Sequence, residues 1–177
     1  MLESWNMKKL LAIVVLSLLY SNSAYANNTL VMQTTKGEII IELFPDKAPN
    51  HVQRIKELTR SGKYDGVAFH RVIDGFMAQT GDVKFGNSKS SNYNINLAGT
   101  GGSSLPDLRQ EFNNVRHDRG IVSMARAANP NSANSQFFIM LQAAPHLDRQ
   151  YTVFGKVTKG MSVVDSIKKG SGSMGTV

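Results

Sequence analysis

Apolar residues in this chain change pattern three times: an unbroken run, then alternation, then a three-residue spacing. Leu10–Tyr20 (LLAIVVLSLLY) is apolar apart from Ser17. Lys8 and Lys9 precede it, and Ala24-Tyr25-Ala26 follows with the small-x-small spacing of a signal-peptidase site. The pattern predicts a cleaved leader over residues 1–26. The run is shorter than the roughly 20 apolar residues that span a bilayer, so no membrane association is expected after cleavage. Met7 offers an alternative start. The short Lys-Lys leader and the Ala-x-Ala site look bacterial, so the mature chain is expected in the periplasm.

Beyond the leader, Leu30, Met32 and Thr34 alternate with Val31 and Gln33, and a β-branched run resumes after the Lys36-Gly37 turn. This predicts a hairpin over residues 27–44, stopped by Pro45. From Ala48 to Arg60, Val52, Ile55 and Leu58 share one face, and Pro49 suits the first turn of a helix. Val67-Ala68-Phe69 and Phe76-Met77-Ala78 flank Asp74-Gly75, which predicts strand, turn, strand. Residues 83–107 are rich in Gly, Ser and Asn and predict a long surface loop, a kind of segment that often carries function. Strands are expected over 120–125, 136–141 and 151–157, and a second helix over Ser162–Lys169. Many short strands with two helices suggest a barrel or sandwich in a single domain spanning 27–177.

Composition narrows the chemistry. The chain has no cysteine, so disulfides and thiol catalysis are excluded. Its net charge is +7, but the basic residues are scattered, with no tract longer than Lys168-Lys169, so nucleic acid is not an expected partner. Gly99-Thr100-Gly101-Gly102 lacks the Lys-Ser/Thr of a phosphate loop. His51, His70, His117 and His146 show no i,i+4 pairing, and each reads as a surface or strand residue rather than a metal ligand.

What remains is Phe69-His70-Arg71-Val72-Ile73-Asp74-Gly75-Phe76-Met77-Ala78-Gln79, and later Ser135-Gln136-Phe137-Phe138-Ile139. In strands, alternate residues share a face. Arg71 is then grouped with Phe69 and Ile73, Met77 with Gln79, and Gln136 with Phe138. Taken alone, these are core aromatics with polar neighbours.

Their order says more. Tyr64-Asp65-Gly66, Phe69 to Ile73, Gly75-Phe76-Met77-x-Gln79-x-Gly81-Asp82, Glu111-Phe112-Asn113-Asn114, Arg119-Gly120, Ser123-Met124-Ala125, Asn134 to Ile139 and Val153 to Val157 follow one another as in the cyclophilin family. The resemblance covers about Leu30 to Lys169. Residues 84–97 are similar to an insertion in a bacterial branch. The resemblance implies a mainly β fold, a closed eight-stranded antiparallel barrel capped by two α-helices. Beyond Gly170, however, Ser171 to Val177 do not supply the final strand, so either the sequence is truncated or the barrel closes imperfectly and exposes an edge.

The resemblance also implies a cofactor-free peptidyl-prolyl cis/trans isomerase acting on proline-containing unfolded or loop segments of exported proteins, with a monomer expected. Amide resonance sets a barrier of about 18–20 kcal/mol. Crossing it breaks no σ bond, so neither nucleophile nor metal is needed. Arg71 matches the catalytic arginine, whose guanidinium donates to the twisted amide. Phe76, Gln79 and Phe138 complete the implied catalytic set. Phe76, Met77, Phe138 and Leu147 form the proline cup, Gln79 and Gln136 hold the peptide, Gln79 also steadies Arg71, and Ala125 and Arg126 line the groove. Three positions depart from the best-known eukaryotic members: His146 replaces a tryptophan, Tyr151 a histidine and Arg126 an asparagine. Loss of the tryptophan implies weakened ciclosporin binding. The alternative is a proline-peptide binding module or holdase chaperone with little turnover.

Overall fold

The computed structural model describes residues 28–171 and 175–177. The expected leader lies outside them. Strands β1 (Thr29–Thr34) and β2 (Gly37–Leu43) pair from Thr29↔Glu42 to Thr34↔Gly37, the hairpin that the alternation predicts. Helix α1 (Pro49–Arg60) buries Val52, Ile55 and Leu58, as their spacing requires. Its N-cap position is Ala48, which offers no side-chain cap. Instead Glu111, distant in sequence, accepts hydrogen bonds from the backbone N–H of Asn50 at 3.2 Å and of His51 at 3.1 Å. A carboxylate there satisfies orphan donors and opposes the helix dipole.

Five further strands follow: β3 (Arg71–Ile73), β4 (Met77–Thr80), β5 (Ile121–Met124), β6 (Phe137–Met140) and β7 (Val153–Lys159). The order in the sheet is β1-β2-β7-β5-β6-β4-β3, antiparallel at every pairing. The result is mainly β, a curled seven-stranded half-barrel with two helices. The eight-stranded closure is not formed among the described residues, and β1 and β3 end the sheet. The last residues lie along the outer edge of β3. Val72 N–H donates to Gly175 O at 2.7 Å, and Gly170 N–H and Val177 N–H donate to Val72 O and His70 O.

Two other boundaries shift. The strand expected over Val67-Ala68-Phe69 begins only at Arg71, because Ala68 N–H donates to Gly86 O and Val67 bridges to Asn87. Phe69 therefore does not share a face with Ile73: it packs on the main core, and Ile73 packs on the second cluster. The second helix, α2, spans only Met161–Asp165, and Ser166 closes it by donating its hydroxyl to Val163 O at 2.7 Å.

The sheet is apolar on both faces where it matters. β5 and β6 are buried at every position. Val122, Phe137 and Ile139 join the main core with Val52, Ile55 and Phe154. Ile121, Phe138 and Met140 face the other way and join Met77, Leu147 and Val153. A strand buried on both sides favours apolar residues at successive positions, which is why Phe137-Phe138-Ile139-Met140 reads as an unbroken run. The second cluster carries the groove.

Candidate active site

A groove of about 500 Å³ opens over the second cluster. Met77 and Phe138 from neighbouring strands form its floor, with Leu147 from the short 3₁₀ turn Pro145–Leu147 beside them. All three are at least nine-tenths buried. Phe76 and Tyr151 add aromatic walls, and the Tyr151 ring meets Phe138 edge-on at 5.6 Å. His146 does not line the groove. It stacks on Phe76 from outside at 5.9 Å.

Arg71 stands at the lip, opposite Gln79 in the β3–β4 ladder. Its Nη1 donates to Gln79 Oε1 at 3.2 Å, and Gln79 Nε2 donates to Gln136 Oε1 at 2.9 Å. Gln136 Nε2 then donates to the carbonyls of Gly99 and Gly101 at 3.0 and 2.7 Å. Gln136 is thus tied to the long loop and does not line the groove itself. Ala98, Gly99 and Thr100 of that loop do.

Asp82 holds the loop in place. Fully buried, it accepts the backbone N–H groups of Lys84, Phe85, Gly99 and Gly101 at 2.8 to 3.0 Å. Burial alone would raise its pKa, but the N–H groups of Phe85, Gly101, Gly99 and Lys84 outweigh it and keep the carboxyl below the ordinary range. Gly99 has φ +98°, and a Cβ there would sit 3.0 Å from the His70 ring. Only glycine lets the loop approach so closely.

Behind the floor, His117 stacks on Phe138 at 6.3 Å. Its Nδ1 lies 3.0 Å from Asp148 Oδ1 and its Nε2 3.1 Å from Ser123 Oγ. The carboxylate fixes the proton on Nδ1, so Nε2 accepts from the serine. Serine, histidine and aspartate are linked as in a hydrolase, but Ser123 is fully buried, and no substrate can reach it. The trio braces the floor. Burial lowers the His117 pKa, and Asp148 only partly restores it. His51 and His70 are buried as well. Of the four histidines expected at the surface or in strands, only His146 is exposed.

Arg126 follows Ala125 at the other end of the groove. Its Nε and Nη2 donate to Gln150 O at 3.2 and 2.8 Å, and Nη1 donates to Ala127 O and Ala128 O. Its guanidinium carbon lies 4.5 Å from the Tyr151 ring centroid. The structure therefore brings Arg71, Phe76, Met77, Gln79, Ala125, Arg126, Phe138, Leu147 and Tyr151 onto one groove, with Gln136 and His146 one layer behind.

The family model for cyclophilin type peptidyl-prolyl cis-trans isomerase/CLD matches residues 29–176. The chain belongs to that family. A probable peptidyl-prolyl cis-trans isomerase of Brucella suis is 56% identical over 151 residues, which cover 85% of this chain and 76% of that one. The solved cyclophilin from Hirschia baltica matches with a TM-score of 0.67 at 30% identity, over 80% of this chain and 68% of that chain. A cyclophilin type isomerase from Cryptosporidium parvum, solved in the presence of the dipeptide Ala-Pro, reaches 0.71 at 30% identity, over 84% and 90%. As a cyclophilin, this chain is a peptidyl-prolyl cis/trans isomerase.

Some groove residues of this cyclophilin escape the sequence reading. His70, Ala98, Gly99, Thr100 and Thr176 all line it. The glycine-rich composition of residues 83–107 signals a functional loop without saying which residues turn inward. Thr176 reaches the groove only because the final residues pair with β3.

Proposed function

We propose that Arg71 performs the isomerisation by stabilising the twisted amide, and that the clients are exported proteins. The observation that carries the first part is the relay from Arg71 through Gln79 and Gln136 to the loop carbonyls. It fixes a permanently charged donor beside an apolar cup. Resonance makes a planar prolyl amide a poor acceptor at nitrogen, whereas twisting localises the lone pair there. A guanidinium held in advance at the lip stabilises the twisted form more than the planar one, which is the requirement for catalysis. Met77, Phe138 and Leu147 hold the ring by apolar contact and keep water from the amide. An acceleration of about 10⁵ requires about 7 kcal/mol, within reach of one charged donor combined with orientation.

The test is cis-to-trans isomerisation of an Ala-Pro tetrapeptide by the purified protein and by Arg71→Ala. A fall in kcat/KM of about 10²–10³ is expected. A folded variant with undiminished rate overturns the role of Arg71. Export is supported by Lys8-Lys9, the apolar run and Ala24-Tyr25-Ala26. Amino-terminal sequencing of protein recovered from the periplasmic fraction should begin at Asn27, and an uncleaved chain in the cytosol removes that part.

A further inference from the structure

We infer that the groove selects prolines adjacent to an acidic residue, and that Arg126 is the residue that makes the choice. This rests on the isomerase reading of the same groove. The lining contains two guanidinium groups, Arg71 and Arg126, and no carboxylate. Arg126 is half-buried at the rim. Its hydrogen bonds go to the neutral carbonyls of Ala127, Ala128 and Gln150, and among the described residues no carboxylate pairs with it. These bonds fix where the cation sits without neutralising it. The Tyr151 ring, 4.5 Å away, buttresses one face. Of the five N–H donors of a guanidinium, one on Nη2 is not used by these contacts.

The same Tyr151 ring packs on Phe138 in the floor, so Arg126 stands one ring from the place where a proline ring would lie. A side chain next to that proline comes within reach of the fixed charge. His70 also lines the groove, where burial lowers its pKa, and the nearby Asp82 carboxylate is taken up by four backbone N–H groups of the loop. An arginine held by several bonds loses little freedom on meeting a carboxylate, which makes selection by charge effective even at a half-exposed rim.

The test compares kcat/KM and, on the same samples, Kd from NMR titration for blocked peptides that differ by one charge. Ala-Glu-Pro-Phe is set against Ala-Lys-Pro-Phe, and Ala-Ala-Pro-Glu against Ala-Ala-Pro-Lys. In at least one register the wild type should prefer Glu over Lys by about 5- to 10-fold. The ratio should fall below about 2 in Arg126→Gln, persist in Arg126→Lys, and shrink for the wild type at about 0.5 M NaCl. A wild-type ratio near one in both registers, or one that survives in Arg126→Gln, overturns the inference. If Arg126→Gln does not fold, the salt series decides, and a ratio insensitive to salt overturns it. Absence of turnover with every peptide sinks the isomerase reading alone, because charge selection is then judged on the Kd ratios.

Discussion

Arg71, Gln79 and Gln136 each hold their place through a partner on another segment of the chain, so a change at one is felt at the next. The same is true at the rim. His146 stacks on Phe76 but leaves the groove itself, where a larger indole would extend the apolar wall. His146→Trp should tighten ciclosporin binding about tenfold, a difference of about 1.4 kcal/mol, readable by titration calorimetry; unchanged affinity would show that the wall is complete without it. The ordered motifs made Arg71, Phe76, Met77, Gln79 and Phe138 legible from the sequence through the family resemblance, whereas strand alternation alone left them as core aromatics with polar neighbours. The carbonyls that direct Gln136 and Arg126 were not legible. An amide or guanidinium is directed by whichever carbonyls the folded loops bring near, and Gly101 lies 35 residues from Gln136 in sequence.

At the scale of elements, the long loop between β4 and β5 matters most. Its composition announced a loop, but not what would anchor it. One buried carboxylate accepts four of its backbone N–H groups. Asp82→Asn keeps the shape while replacing an acceptor with an amide that must also donate, leaving at least one backbone N–H unsatisfied. A loss of about 2–4 kcal/mol is expected in denaturant unfolding, with faster hydrogen exchange at Gly99 and Gly101 and a lower kcat/KM. Exchange that does not change in a folded variant would mean that the loop is held by its other contacts. The displaced start of β3 has a similar origin. The alternation of Val67 to Phe69 suits a strand, but these residues pair with the loop rather than with β4. Local propensity cannot register a competitor that distant in the chain.

For the whole molecule, many short strands with two helices already suggested a barrel or sandwich. What the pattern could not show is the set of buried ionisable groups. Burial lowers the pKa of His51, His70 and His117. Each stays neutral in the folded chain and takes up a proton more readily once unfolded. The unfolded state therefore binds more protons below about pH 6.5, and stability falls as pH drops through that value. Asp82, Glu111 and Asp148 are also lowered, and the stability they contribute is lost further down, as pH falls below about 4. The melting temperature should be level above about pH 7, decline by several degrees towards pH 5, and drop steeply below pH 4. A level Tm from about pH 7 to 5 would remove the histidines from this account.

The strand order has a consequence for how the chain comes into being. β7, the last of the seven described strands in chain order, lies between β2 and β5, so it joins the amino-terminal hairpin to the rest of the sheet. Until residues 153–159 have emerged, the amino-terminal hairpin and the rest of the sheet have no strand pairing between them. Vectorial synthesis therefore cannot yield a finished fold early.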